Sequence, residues 1–286
     1  MRRLIIVLLL LSVSLVSCQK PSTNFQINET KNFSAVNMSQ NITTINNTNI
    51  VQQPTIPAEK SIMVFDLESF DELKIGNQQI MNQIKRLVSK YDIVLLQGVK
   101  LKKPLMLERA LNNIKSEVNY YKINDNQYFF SASNEPLNAE IINTTLFTNK
   151  PLLMKTNFDA EELNFVFIKI NETNAQAENN NLGRLVNLLQ SNYNVTEESL
   201  VLMGDFKDDC YYADAIFPKN FFSLINQDTI VTINACTYDR IIVSDDKKIF
   251  CESGIDYYDL EEKISYELAS KVSLHYPIYL KLCNYK

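Results

Sequence analysis

From Ser61 to the carboxy terminus, short apolar runs are mixed with helical patterns but do not alternate strictly with them, and this mixture narrows the fold more than any other property of the chain. Ile62, Met63, Val64 and Phe65 form the first run, and further strand candidates lie at residues 92–97, 128–130, 141–146, 151–155, 163–170, 200–203, 238–243 and 277–282. Ile80, Ile84, Leu87 and Val88 share one helical face, residues 105–114 read as a second helix, and Leu182, Leu185, Val186 and Leu189 mark a helix over residues 175–189. Residues 260–268 also have helical character. Together these elements predict a mixed α/β (α+β) fold with a sheet-on-sheet core and helices outside it. No internal repeat is visible.

The amino terminus has a different character. Arg2 and Arg3 precede an apolar stretch at residues 4–16, shorter than the ~20 residues needed to span a bilayer, so it reads as a secretory signal. Leu15-Val16-Ser17-Cys18 also fits a bacterial or archaeal lipobox, in which Cys18 carries the lipid and anchors the protein to the membrane. The alternative is a cleaved signal with Cys18 removed or unmodified. Either way the mature protein is extracytoplasmic. Residues 19–60 are rich in Asn, Thr, Ser and Gln with no apolar period, too polar to offset the entropy of ordering, and are expected to be a disordered tether. The globular domain is then residues 61–286. A formal charge of −5 argues against coating nucleic acid by charge alone. Glycosylation sequons start at Asn28, Asn32, Asn37, Asn41, Asn46, Asn143, Asn171 and Asn194. A chain this rich in Asn, Ser and Thr yields about four by chance, so modification stays open.

Three segments carry candidate chemistry. Leu200-Val201-Leu202-Met203 leads into Gly204-Asp205-Phe206-Lys207-Asp208, which puts an acidic cluster at the end of a buried strand. The other two are Cys236-Thr237-Tyr238-Asp239-Arg240-Ile241-Ile242-Val243 and Leu274-His275-Tyr276-Pro277. Strand ends deliver side chains to a common cleft, where acids hold a divalent metal or orient a base. An isolated Asp205 is more simply a turn former, and an isolated His275 a partly buried histidine. Their joint order, spacing and flanking cysteines favour a site.

In that joint pattern the chain resembles the deoxyribonuclease I family of the endonuclease/exonuclease/phosphatase superfamily, from about Ser61 to the end. The resemblance implies a four-layer sandwich of two packed mixed β-sheets with helices on the outer faces. It also implies Asp205, Asp239 and His275 as catalytic residues, Asp205 as the best metal candidate, Mg²⁺ or Ca²⁺ as cofactor, and nucleic acid or another phosphoester as ligand. Phe65-Asp66 stands where the family has Phe-Asn, and residues 91–97 match the strand leading to its metal-binding glutamate. A disulfide between Cys210 and Cys236 is implied as well, and would stabilise by about 3 kcal/mol. Cys251 and Cys283 are left for a second bridge.

The working residues of the family pattern are incomplete. Gly98 occupies the metal-glutamate position, Asn171 the position of a second histidine, and Leu274 that of an aspartate before His275. The acidic partner of the missing histidine falls near Asn126. Lys207 replaces an Asn: either its ammonium neutralises the acidic cluster that a metal would otherwise satisfy, or it is a solvated surface lysine. His275 is the sole histidine. Each lost acid or base group costs roughly 10²–10⁴ in rate, and a lost metal several kcal/mol more. The single histidine also excludes zinc sites built on paired histidines, and no glycine-rich phosphate loop is present. The expectation is an exported pseudonuclease serving as a binding or structural surface module. The alternative is an active divalent-metal-dependent endonuclease or phosphodiesterase, and a third reading is an adhesion-type surface protein.

Overall fold

A computed structural model describes residues 59–124, 127–158, 161–207, 217–225, 232–233, 236–244, 247 and 249–284. The signal and lipobox expected at residues 1–18 and all but the last two residues of the tether expected at 19–60 lie outside the described residues. None of the described helices is long and apolar enough to cross a membrane.

One sheet contains β1 (Glu59–Phe70), β2 (Ile93–Val99), β3 (Glu117–Asn124), β4 (Gln127–Ser133), β11 (Phe250–Ile255) and β12 (Ile278–Cys283), in the order β11-β12-β1-β2-β4-β3. The second contains β5 (Asn138–Ile141), β6 (Leu152–Phe158), β7 (Glu161–Lys169), β8 (Leu200–Asp205), β9 (Phe222–Ser223) and β10 (Asp239–Val243), in the order β5-β6-β7-β8-β10-β9. Each sheet has one parallel pair at its centre, β1 with β2 and β7 with β8, with antiparallel neighbours on both sides. The two sheets thus repeat one plan that the sequence does not display.

Period-two alternation builds the layers. Ile62 and Val64 of β1 face Phe165 and Phe167 of β7 in the core between the sheets. Met63 and Phe65 point the opposite way, into the cluster covered by α1 (Glu72–Gly76), α2 (Gln78–Lys90), α3 (Leu105–Leu111), α6 (Tyr258–Glu261) and α7 (Tyr266–Val272). On the far side, Val166 and Ile168 pack against α5 (Leu182–Tyr193). The architecture is therefore two packed mixed six-stranded sheets with helices outside.

Some elements differ from the sequence reading. β1 starts at Glu59, inside the expected tether, because Glu59 and Lys60 pair with Cys283 and Leu282 of β12. The candidate strand at residues 141–146 ends at Ile141, and Leu146 N–H bonds back to Thr144 Oγ1 in a turn. The helix at 175–189 divides at Asn181 into α4 (Ala175–Asn180) and α5. Cys251 and Cys283 form a disulfide between β11 and β12. Cys236 is also disulfide-bonded, and its expected partner Cys210 lies outside the described residues.

Candidate active-site cleft

The carboxyl ends of the two parallel pairs meet. Register places Asp66 beside Gln97 in one sheet and Lys169 beside Asp205 in the other. Lys169 Nζ bridges the sheets, bonding Asp66 Oδ2 and lying 3.3 Å from Asp205 Oδ2. Gln97, fully buried, ties them a second time: in the orientation that satisfies both ends of its amide, nitrogen donates to Ile168 O at 3.2 Å and oxygen accepts from Asp205 N–H at 3.1 Å.

Two glycines make this approach feasible. Gly204 has φ 135°, and a Cβ there would lie 2.0 Å from Ile168 O on the neighbouring strand. Gly98 has φ 71°, and its Cβ would lie 2.3 Å from Asp66 Oδ1 and 2.9 Å from Glu68 N. β1 bulges there: pairing with β2 breaks between Asp66 and Phe70, and Glu68 and Ser69 take φ of 40° and 58°. Lys74 Nζ secures the bulge through Leu67 O and Glu68 O at 3.0 Å and Val272 O at 3.2 Å. The position expected to bear a metal-binding glutamate therefore has no room for a side chain.

Asp205 closes β8 with a turn in which Lys207 N–H donates to its Oδ1 at 3.0 Å. Lys207 has φ 50°, and its buried ammonium lies 3.0 Å from Asp205 Oδ2, 3.5 Å from Glu172 Oε1 and 4.6 Å from the centre of the Tyr238 ring. Asp239 stands opposite Asp205 across β8 and β10, and its Oδ2 lies 2.6 Å from His275 Nδ1. Ser273 positions the histidine, donating to Asp66 O at 2.6 Å while accepting from His275 N–H at 3.0 Å. His275 is only 2% exposed.

Buried charges persist only when paired. Burial alone would raise the Asp66 pKa, but the Lys169 ammonium, with His275 and Lys207, holds it well below the carboxylate range. Lys169 and Lys207 keep their protons against burial because Asp66 and Asp205 face them, and both are raised. Burial works against the imidazolium as well, yet Asp239 and Asp66 push His275 up to about 9. Burial pushes the Asp239 pKa up, against the pull of His275; the three acids Asp66, Asp205 and Asp239 thus face three basic groups, Lys169, Lys207 and His275.

The structure gathers Asp205, Asp239, His275 and Lys207, and adds Asp66, Gln97 and Lys169. No motif in the sequence marks Lys169, though it follows the apolar run at 163–168 as Asp205 follows that at 200–203. Asn171, expected at the second histidine position, is at the rim, where its Oδ1 accepts from Thr173 N–H at 3.0 Å and Thr173 Oγ1 at 2.6 Å. Leu274 donates its N–H to Glu68 Oε2 at 3.4 Å. Asp208 and Asn126 lie outside the described residues.

Above this floor opens a cavity of about 420 Å³, with Lys100, Lys169, Lys207, Gln127, Asn149 and Glu172 in its lining. A larger depression of about 610 Å³ between Asn143 and α5 has no cluster of acids or histidine in its lining. Oxygen or nitrogen atoms of Asp66, Asp205 and His275 come within 4.8 Å of one another, a spacing compatible with a metal. A hard divalent ion takes six or more oxygen ligands, and both carboxylates are already held by ammonium groups. The residues present do not fit that ion.

No family model matches the sequence. It is 24% identical over 261 residues to deoxyribonuclease-1 of Bos taurus, covering 77% of this chain and 91% of that protein. To deoxyribonuclease-1 of Homo sapiens it is 23% identical, covering 77% and 91%. Among solved structures, D. rerio TDP2 complexed with a single-strand DNA product superposes with a TM-score of 0.56 at 14% identity, covering 80% of this chain and all of that one. An endonuclease/exonuclease/phosphatase family protein from Leptotrichia buccalis C-1013-b gives 0.55 at 15% identity, covering 79% and 100%.

Proposed function

The chain is homologous to deoxyribonuclease-1 and has the fold of the endonuclease/exonuclease/phosphatase proteins; from that premise we propose that it is an exported pseudonuclease, a binding module that has lost hydrolysis. One observation carries this reading. At the end of β7 the cleft floor presents the Lys169 ammonium, already joined to both buried carboxylates, and no second imidazole. An ammonium that keeps its proton accepts none from an attacking water, and it is no Lewis acid. His275 remains as a proton donor, but it is buried, and among the described residues no imidazole or other base free of an ammonium faces it across the cleft.

The ligand class we propose is a phosphoester or a nucleic-acid segment, supported by the lysines at 100, 169 and 207 that line the cavity and by a structural neighbour that holds single-strand DNA. Lipid anchoring through Cys18 is part of the same proposal, and Cys18→Ser should move the protein from the membrane fraction to the soluble fraction.

The spacing of Asp66, Asp205 and His275 favours the second reading, a working divalent-metal-dependent endonuclease or phosphodiesterase. Incubating purified protein with supercoiled DNA, Mg²⁺ and Ca²⁺ separates the two. No nicking above a His275→Ala control is expected, and nicking that the control abolishes would establish the second reading.

A further inference from the structure

We propose that Lys169 and Lys207 together are the resident cation of this cleft, a pair of ammonium groups built into the chain that holds Asp66 and Asp205 and shuts divalent ions out. The inference deepens the pseudonuclease reading and rests on it in one respect, that a cleft which has lost hydrolysis no longer needs a metal.

Charge and position both fit. Two ammonium groups carry the charge of one divalent ion, and they reach the same carboxylate oxygens a metal would need: Lys169 joins Asp66 Oδ2 to Asp205 Oδ2, and Lys207 lies 3.0 Å from the latter. Both side chains of the acid pair are 0% exposed, so without a cation they would be uncompensated buried charges. The backbone fixes each lysine in place. Lys169 is in register with Asp205 on the parallel strand, and Lys207 is turned inward by its positive φ, by the Asp205 turn and by the Tyr238 ring. Replacing a metal by ammonium preserves the attraction that closes the two sheet ends but removes Lewis acidity and open coordination positions. The bulge of β1 makes the exchange hard to reverse, because Asp66 Oδ1 and the Glu68 backbone now occupy the space beside Gly98.

The test uses the full-length protein and three variants, Lys169→Met, Lys207→Met and the double variant, unfolded thermally in EDTA and again in millimolar MgCl₂ or CaCl₂. The wild type should melt at the same temperature in both. The double variant should melt lower in EDTA by on the order of 10 °C, recover part of that loss with metal, and lose the recovery when Asp205→Asn is added. Wild-type stabilisation by metal that Asp205→Asn removes would overturn the proposal. So would lysine variants that unfold cooperatively yet show no response to metal. If the double variant fails to fold, the single Lys207→Met variant and calorimetric titration of the wild type still decide. Nicking of DNA in EDTA would sink the pseudonuclease reading and leave the lysine assignment intact, whereas metal binding without nicking would sink only the assignment.

Discussion

His275 illustrates how one residue reports on the whole cleft. Its pKa, raised to about 9 from an ordinary 6.5, means that the folded state holds this proton more tightly than the unfolded chain. The resulting stabilisation is full below pH 6.5 and is lost as pH rises through about 9. Urea unfolding should therefore show stability falling across that window, and His275→Gln should flatten the profile there. Asp66 has the opposite sign: its depressed pKa contributes stability above its ordinary value of 3.8, lost only in stronger acid. Gly98→Glu, which restores the missing acid in name, should fail to create a metal site. It should destabilise by about 2–4 kcal/mol, from positive φ and contact with Asp66, measured as a lower urea midpoint. Asp205, Asp239 and His275 were legible because each ends or flanks an apolar run within a familiar order of motifs. Lys169 was not, since only the parallel register of β7 with β8 reveals that its ammonium lies between two acids.

Among the elements, legibility followed apolar content. β2 is buried along its whole length and stood out as a run, as did β8. β3 buries only Val118 and Ile123, and β11, at a sheet edge, is half-buried except for the exposed Glu252, so neither presents an apolar run. What holds β11 is its pairing with β12 and the Cys251–Cys283 bridge, whose cysteines are 32 residues apart. Replacing both cysteines by serine should cost about 4 kcal/mol in the chain-entropy account, read by denaturant unfolding under oxidising conditions. Loss of the bridge should leave the cleft unchanged. On the opposite outer face, Leu185 of α5 is fully buried against the second sheet, and Leu185→Ala should cost about 2–5 kcal/mol by the same measurement.

Over the whole molecule, the two sheets repeat one plan, and the corresponding ends of their central pairs form the cleft floor. That plan resides in strand order and direction, which no apolar run or motif of the sequence displays. The sandwich itself was readable from the mixture of apolar runs and amphipathic helices. The ends of the two parallel pairs bring acids to this place, and this chain answers them with lysines. A crystal of the wild-type domain grown or soaked with Mn²⁺ tests that claim most directly through anomalous scattering. The account predicts no manganese peak at Asp66 and Asp205, with Lys169 and Lys207 Nζ in the density between them. A peak coordinated by Asp66, Asp205 and His275, with the lysines displaced, would contradict it.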